Sequence, residues 1–392
     1  MKRLLCVMLA ALCISGCAAK KAPEKAAVST KTDINGVWIS YIEMDACLKS
    51  GDFYKNFSEI VSKCKAFGIT DIFMHAVPFC DAYYPSEIYT KRESANSYSG
   101  DVLKTAVELA HTKNMRLHLW MNPYRVKTSD IDTSTLPQNS IAYKWLNDEN
   151  PDNDKNVCIS GGIYLNPGCS EVRQTVISAV REAAEKYDID GVHFDDYFYP
   201  TTDPAFDSAA YEEYAAGCSV PITLEEFRRA SVNALISGCY TALKFIRKDI
   251  IFSVSPAADI EKNRTAYYAD ISAWCESRCV DVIIPQIYFG FLYPTEKFRF
   301  ENLLDAWKNL TAGTGVELCI GLAAYKTGTA VSPDCTEWQN ADDILSRQVS
   351  LCKSDRQVSG MVFYSYTALF SESELNSAVR ENIKKAMDGL NF

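Results

Sequence analysis

Residues 191–200 have the sequence Gly-Val-His-Phe-Asp-Asp-Tyr-Phe-Tyr-Pro, an apolar stretch that ends in two carboxylates and three aromatic residues. Burying a charge is costly, so a carboxylate pair at the end of a buried strand predicts a site that uses it. Aromatic rings stack on the apolar faces of sugars, and carboxylates bind hydroxyl groups or transfer protons. The alternative is a solvated aspartate pair at a strand-to-loop junction, with the aromatic rings folded back on the core.

Strand-like and helix-like patterns alternate along the rest of the chain from residue 36 onward. Several strand-like segments are almost continuous apolar runs, which is typical of a parallel sheet buried on both faces. Eight such units predict an α/β fold of the (β/α)8 TIM-barrel type rather than a doubly wound sheet. The predicted strands are 36–41, 70–79, 116–124, the stretch from 191, 250–255, 280–289, 317–325 and 358–366. The predicted helices are 53–68, 101–114, 170–187 with Ser170 as N-cap, 223–247, 270–278, 300–310, 341–352 and 373–387.

Active sites of such barrels lie at the C-terminal ends of the strands, so polar and aromatic residues at those ends are candidate site residues. Alternation along the fourth strand predicts that His193, Asp195 and Tyr197 point into the barrel, whereas Asp196 at the mouth can turn either way. We expect Asp195 and Asp196 to be the catalytic carboxylates and His193 to hold Asp195 in orientation. The predicted substrate-binding residues are Trp120, Asn122, Tyr124, Arg125, His193, Tyr197, Gln286, Tyr288, Asp81 and Tyr364.

Three of the four histidines, His75, His118 and His193, fall on adjacent predicted strands, so a metal site has to be considered. No His-x-His motif or carboxylate cluster accompanies them, which favours an inner-layer role, and no metal is expected. No cofactor is expected either, because neither a Gly-rich dinucleotide motif nor a P-loop is present. A net charge of −10 without a basic patch argues against a nucleic-acid partner. The oligomeric state is left open.

The N-terminus predicts export. Lys2 and Arg3 precede an apolar run over 4–14 that is too short to span a membrane, and Ile14-Ser15-Gly16-Cys17 is typical of a bacterial lipoprotein cleavage site. Residues 1–16 are therefore predicted to be a signal peptide and 17–34 a flexible tether that starts at a lipidated Cys17, with the barrel over 35–392. An ordinary secretory signal with an incidental cysteine is the alternative. The lipoprotein reading places the protein outside the cytoplasm, in the cell envelope, anchored to a membrane.

Seven short motifs within residues 35–370 resemble the bacterial glycosyl-hydrolase-like family 10. They are Gly36-Val37-Trp38, Asp81-Ala82-x-Tyr84-Pro85-Ser86, His118-x-Trp120-x-Asn122-Pro123-Tyr124-Arg125, Leu165-Asn166-Pro167-Gly168, the stretch from Asp188 to Pro200, Tyr268-Ala269-Asp270 and Pro285-Gln286-Ile287-Tyr288. The resemblance implies a glycoside hydrolase fold, an envelope lipoprotein and, in at least one branch, cleavage of peptidoglycan strands stripped of stem peptides. The second strand departs from the family pattern, since His75-Ala76-Val77-Pro78 stands where relatives more often carry Gln-x-Arg-Pro.

The fourth strand also resembles, more distantly, the alternating acids of chitinases, but Tyr197 stands where their proton donor lies. A second carboxylate must then come from elsewhere if hydrolysis uses a pair, and the candidates are Asp196, Asp81, Glu43, Asp259 and Asp270. The expected function is a glycoside hydrolase acting on peptidoglycan-type, amino-sugar glycan strands. The alternatives are a catalytically silent glycan-binding lipoprotein and a glycosidase for a dietary or host polysaccharide.

Overall fold

A computed structural model of the chain describes residues 33–49, 51–329 and 336–388. The predicted signal peptide, Cys17 and nearly all of the predicted tether lie outside the described residues. The first strand begins at Ile34, which is the last residue that the sequence analysis assigned to the tether.

Eight parallel strands close into a barrel in which each strand pairs with the strands before and after it along the chain. The predicted (β/α)8 TIM barrel is therefore confirmed. The strands are β1 (Ile34–Ile39), β2 (Asp71–Val77), β3 (Arg116–Met121), β4 (Gly191–Phe194), β5 (Ile251–Val254), β6 (Val282–Ile283), β7 (Glu317–Leu322) and β8 (Val358–Phe363).

A principal helix follows each strand and packs outside the barrel. These helices are α1 (Phe53–Phe67), α2 (Val102–Thr112), α3 (Ser170–Lys186), α4 (Leu224–Ile246), α5 (Ile271–Ser277), α6 (Phe300–Thr311), α7 (Ile344–Ser354) and α8 (Glu374–Asp388). Shorter helices in the loops are Tyr41–Lys49, Ile141–Asn147, Ser208–Ala216, Ile260–Thr265, Glu337–Asn340 and Tyr366–Leu369. Among the described residues, no helix is both long enough and apolar enough to cross a membrane.

Several predicted element ends are wrong, and prolines explain two of them. The strand predicted at 280–289 forms a ladder only at Val282–Ile283, followed by isolated bridges at Gln286, because Pro285 has no N–H to donate. The strand predicted at 116–124 likewise ends at Met121, just before Pro123. Ser170 is not the N-cap of α3 but its first residue, since Cys169 occupies the cap position. The predicted capping box of α4 is present, with Thr223 and Glu226 bonded reciprocally.

The barrel interior and the layer beneath the helices are separate apolar clusters. The interior cluster comprises Ile34, Trp38, Phe73, Trp120, Val282, Ile284, Cys319 and Val362. Val192 and Phe194 of β4 belong to the outer cluster, whereas His193 lies inside beside Trp38 and Phe73. The predicted alternation along β4 is therefore correct. Gly191 must lack a side chain, because a Cβ there would lie 2.2 Å from the His118 ring.

A buried ion pair fixes the loop that follows β4. Arg228 of α4 is fully buried and its Nε donates to Asp207 at 3.0 Å. Its other nitrogens donate to the Thr202 and Asp203 carbonyls and to the Tyr268 hydroxyl. The backbone between β4 and α4 is therefore tied to the helix layer, which limits how far the residues directly after β4 can move.

Candidate active site

A cavity of about 290 Å³ opens at the C-terminal ends of the barrel strands. Its lining comes from β1, β3 and the segments that follow β4 to β8, so most of the barrel contributes to it. The lining residues are Trp38, Trp120, Asp195, Tyr197, Ser255, Gln286, Tyr288, Tyr325 and Tyr364. Two tryptophans, four tyrosines and one carboxyl in a concave site suit a ligand that has both apolar faces and hydroxyl groups.

Asp195 is the buried carboxyl of this cavity. It is 3% exposed, and it accepts hydrogen bonds from Trp120 Nε1 at 3.2 Å and from the Tyr197 N–H at 3.4 Å. Burial raises the pKa of Asp195 to about 7, against the opposing effect of the Arg125 charge and with a further increase from the Asp196 charge. Near neutral pH this carboxyl is therefore divided between its protonated and ionised forms, and it can donate as well as accept a proton.

Asp196 is not part of the cavity lining, but its carboxylate contacts a residue that is. Its Oδ1 accepts a hydrogen bond at 3.2 Å from Nε2 of Gln286, which itself lines the cavity and also donates to the Ser255 carbonyl at 3.0 Å. Burial also raises the pKa of Asp196. The sequence left the orientation of Asp196 open, and in the structure its carboxylate points toward Gln286 at the mouth of the barrel.

The other carboxylates considered as partners of Asp195 have different roles. Glu43 accepts hydrogen bonds from the Ser40 backbone and from the Ser365 hydroxyl, and so joins the ends of β1 and β8. Asp259 and Asp270 cap short helices, and Asp81 forms an ion pair with Arg92 at 2.7 Å. Of these carboxylates, Asp196 is the one that is bonded to a lining residue and whose charge raises the pKa of Asp195.

The expectation that His193 holds Asp195 is wrong. His193 Nε2 accepts from the Trp38 indole at 3.0 Å and its Nδ1 lies 2.8 Å from the Ser253 hydroxyl. Because the indole can only donate, the proton of the neutral ring sits on Nδ1, and burial holds the pKa of His193 well below its usual range. The indole of Trp120 supports Asp195 instead. That indole stacks on His75 with ring centres 3.8 Å apart, so it forms the floor of the cavity rather than a free platform.

The predicted binding residues divide into two groups. Trp120, Tyr197, Gln286, Tyr288 and Tyr364 line the cavity together with Asp195, whereas Asn122, Tyr124, Arg125, His193 and Asp81 do not. The assignment of Tyr124 is wrong, because β3 ends at Met121 and the tyrosine ring packs in the core under the helices. Its hydroxyl has no hydrogen-bond partner in the described part of the chain.

Asn122 and Arg125 pack behind the residues that line the cavity and contact the segment after β2. Asn122 is fully buried, and its amide donates to the Pro78 carbonyl at 3.3 Å. The Arg125 guanidinium lies between the rings of Phe79 and Tyr197, 4.7 and 4.8 Å from their centres. Arg125 therefore positions Tyr197, and its charge lies close enough to Asp195 to affect that pKa.

Three cavity residues were missed by the sequence analysis: Trp38 on β1, Ser255 after β5 and Tyr325 after β7. Tyr325 packs edge-on against the stacked pair Tyr288 and Tyr364, at 5.8 and 5.9 Å between ring centres. Each of the three lies on a predicted strand, but the predicted site drew only on the ends of strands three, four, six and eight and on the loop after strand two.

The three barrel histidines do not gather around a common point. His118 forms a hydrogen bond with Asp71 at 2.8 Å and stacks on Phe73. His75 stacks on Trp120, and His193 is hydrogen-bonded to Trp38 and Ser253. Within the described ranges no group of three histidine, cysteine or acidic side chains is arranged to hold a metal ion.

The chain is similar to a family of known proteins, to individual relatives and to a solved structure. The profile of the family described as "Glycosyl hydrolase-like 10" matches residues 33–340. The chain is 28% identical over 374 residues to "Glycosyl hydrolase YngK" of Bacillus subtilis (strain 168), covering 88% of this chain and 70% of that protein. It is 30% identical over 344 residues to "Glycosyl hydrolase DigH" of Escherichia coli (strain K12), covering 79% and 73%. The glycoside hydrolase domain of PgaB (BpsB) from Bordetella bronchiseptica has the same fold, with a TM-score of 0.59 at 14% identity over 89% of this chain and 99% of that one.

Proposed function

The chain belongs to the glycosyl hydrolase-like 10 family, as its motifs predicted, and from this premise we propose that it is a glycoside hydrolase of cell-wall glycan strands. One observation carries the proposal. A carboxyl whose pKa lies at about 7 stands inside a cavity lined by tryptophan and tyrosine, with a second carboxylate next to it. Glycoside hydrolysis needs such a pair, one group to protonate the leaving oxygen and another to assist attack at the sugar carbon.

Asp195 is the proton donor in this proposal. A general acid works best when its pKa is close to the working pH, and burial brings Asp195 there. Asp196 supplies the negative charge beside it, and Gln286 fixes that carboxylate through a hydrogen bond. Trp120 donates to Asp195, which favours the ionised form that remains once the proton has left.

The remaining lining residues bind the sugar. The hydroxyls of Tyr288, Tyr364 and Ser255 can bond ring substituents, while the tyrosine rings cover apolar sugar faces. The choice of an amino-sugar strand of the cell wall is supported by the motifs shared with the family and by the predicted lipoprotein signal at the N-terminus, since a lipoprotein of the cell envelope would lie next to the wall.

A digestion panel tests the substrate. The purified protein is incubated with peptidoglycan strands stripped of stem peptides, intact peptidoglycan, chitin, a plant polysaccharide and a host polysaccharide, and new reducing ends are counted. We expect release from the stripped strands. Release from the plant or host polysaccharide alone would overturn the cell-wall assignment and leave a glycosidase of another substrate class.

We also propose that the protein is anchored in the cell envelope through lipidated Cys17. Substituting Cys17→Ser removes the thiol that receives the lipid, so the protein should move from the membrane pellet to the soluble fraction of lysed cells. Cys13→Ser, inside the apolar run of the signal, is the matched control and should leave the protein in the pellet. Complete retention of the Cys17→Ser protein in membranes would show that the lipoprotein assignment is wrong.

A further inference from the structure

A second and larger depression lies beside the cavity. It has a volume of about 970 Å³ and runs between two loop insertions of the barrel. One wall is formed by residues 79–96, which follow β2, and the other by residues 126–142, which follow β3. We call this depression the groove. Both insertions leave the barrel at the C-terminal ends of their strands, so the groove opens on the same face as the cavity.

The side chain of Arg125 separates the groove from the cavity. Phe79 lines the groove and Tyr197 lines the cavity, and the Arg125 guanidinium lies between their two rings. Tyr197 is 54% exposed, so its ring forms an open edge between the two depressions. An extended ligand that leaves the cavity across Tyr197 therefore reaches the groove at Phe79, on the other side of the Arg125 guanidinium.

The first wall of the groove is rigid before any ligand arrives. Arg92 donates to both Asp45 and Asp81 at 2.7 Å, and Ser94 donates to Asp45 at 2.5 Å. The Phe79 N–H in turn donates to Asp81 at 3.1 Å, which fixes the backbone next to the cavity. A surface that is already ordered loses little conformational entropy when it binds, so this wall is suited to hold a ligand.

The chemistry of the groove matches a glycan. Its opposite walls present the exposed amides of Asn96 and Asn139, which can both donate to and accept from sugar hydroxyls. Phe79 and Pro137 supply apolar surface for sugar faces. The lining carries as many acidic as basic side chains, some of them paired, as in Lys127–Asp130 and Arg92–Asp81, so the groove lacks the excess of cations that a nucleic acid requires.

We propose that the groove binds further sugar units of the same chain whose glycosidic bond lies in the cavity, so that these units add to the affinity for long chains. This inference rests on the proposed glycoside hydrolase function. It assigns to Asn96 and Asn139 the recognition of sugars that lie several units away from the cleaved bond.

Binding as a function of chain length tests the proposal without depending on cleavage. The full-length Asp195→Asn protein is titrated by calorimetry with alternating N-acetylglucosamine and N-acetylmuramic acid chains of two, four, six and eight sugars. We expect the affinity to rise by about tenfold or more beyond the length that fills the cavity. Adding Asn96→Leu and Asn139→Leu, which keep side-chain volume but remove both amides, should cancel most of that increase. Asn309→Leu, exposed in the last turn of α6, is the matched control.

The outcomes separate this inference from the proposed function. If affinity rises with length while the wild-type protein cleaves no chain, the groove is supported and the hydrolase function fails. If the wild-type protein cleaves the chains but affinity is the same at every length, the groove assignment is overturned and the function stands. An increase that survives both asparagine substitutions also overturns it.

Discussion

Substituting Asp195→Asn is expected to reduce glycan cleavage by roughly 10³-fold or more, because the amide cannot give up the proton that the leaving oxygen needs. The amide has nearly the same shape and can still accept from Trp120 Nε1, so the fold should be retained. Initial rates of reducing-end release from stripped glycan strands measure the loss. Asp249→Asn, an exposed aspartate just before β5, is the matched control and should keep the wild-type rate.

The same substitution should change the pH dependence of stability in a defined direction. The pKa of Asp195 is raised to about 7 in the folded protein, whereas that of an unfolded aspartate is about 4. Protonation of Asp195 therefore makes its full contribution to the free energy of unfolding below about pH 4, and this contribution is lost as the pH rises through 7. At about 1.4 kcal/mol per pKa unit, the expected loss is on the order of a few kcal/mol. The Asp195→Asn protein avoids that loss, so at pH 8 it should unfold at the wild-type temperature or above. Near-normal turnover, or marked destabilisation at pH 8, would contradict the role given to Asp195.

The second large effect concerns stability. Arg228→Met leaves the Asp207 carboxylate buried without its cation, which should lower the free energy of unfolding by about 3–5 kcal/mol. The Tyr199 hydroxyl, 3.1 Å from Asp207, is too weak a partner to compensate. Urea denaturation measures the loss, and Arg229→Met at the next, partly exposed position should cost less than about 0.5 kcal/mol.

A second substitution distinguishes the ion pair from a simple packing defect. In the double variant Arg228→Met with Asp207→Leu no unpaired buried charge remains, so a large part of the stability should return. If the single variant is as stable as the wild type, or if the double variant is no more stable than the single one, the pair does not anchor the loop after β4.

The barrel could be predicted from the sequence because its signal is repeated. Each strand is a buried apolar run followed by a helical period, and eight repeats leave few alternatives. The element ends could not be predicted as well, because they depend on single residues that break the ladder, such as Pro285 after β6. Period-two alternation placed Asp195 correctly, since it lies directly after the regular part of β4.

Residues of the site could be predicted only where they lie on a strand or directly after its last residue. Tyr124 lies three residues past the end of β3 and its ring is in the core under the helices, so its position near a strand end did not bring it to the cavity. The support of Asp195 by Trp120 instead of His193 depends on contacts across the barrel, because Trp38 of β1 occupies the histidine nitrogen. Such contacts between distant strands have no local sequence signal.

The central claim is that the cavity around Asp195 cleaves glycan chains and does not merely bind them. The most direct measurement follows the wild-type protein with stripped peptidoglycan strands and records, in the same samples, the bound fraction and the reducing ends released over time. We expect binding together with continuous release of reducing ends for the wild-type protein, and binding without release for the Asp195→Asn protein. Strands that are bound by the wild-type protein but never cleaved would contradict it and identify a glycan-binding protein instead.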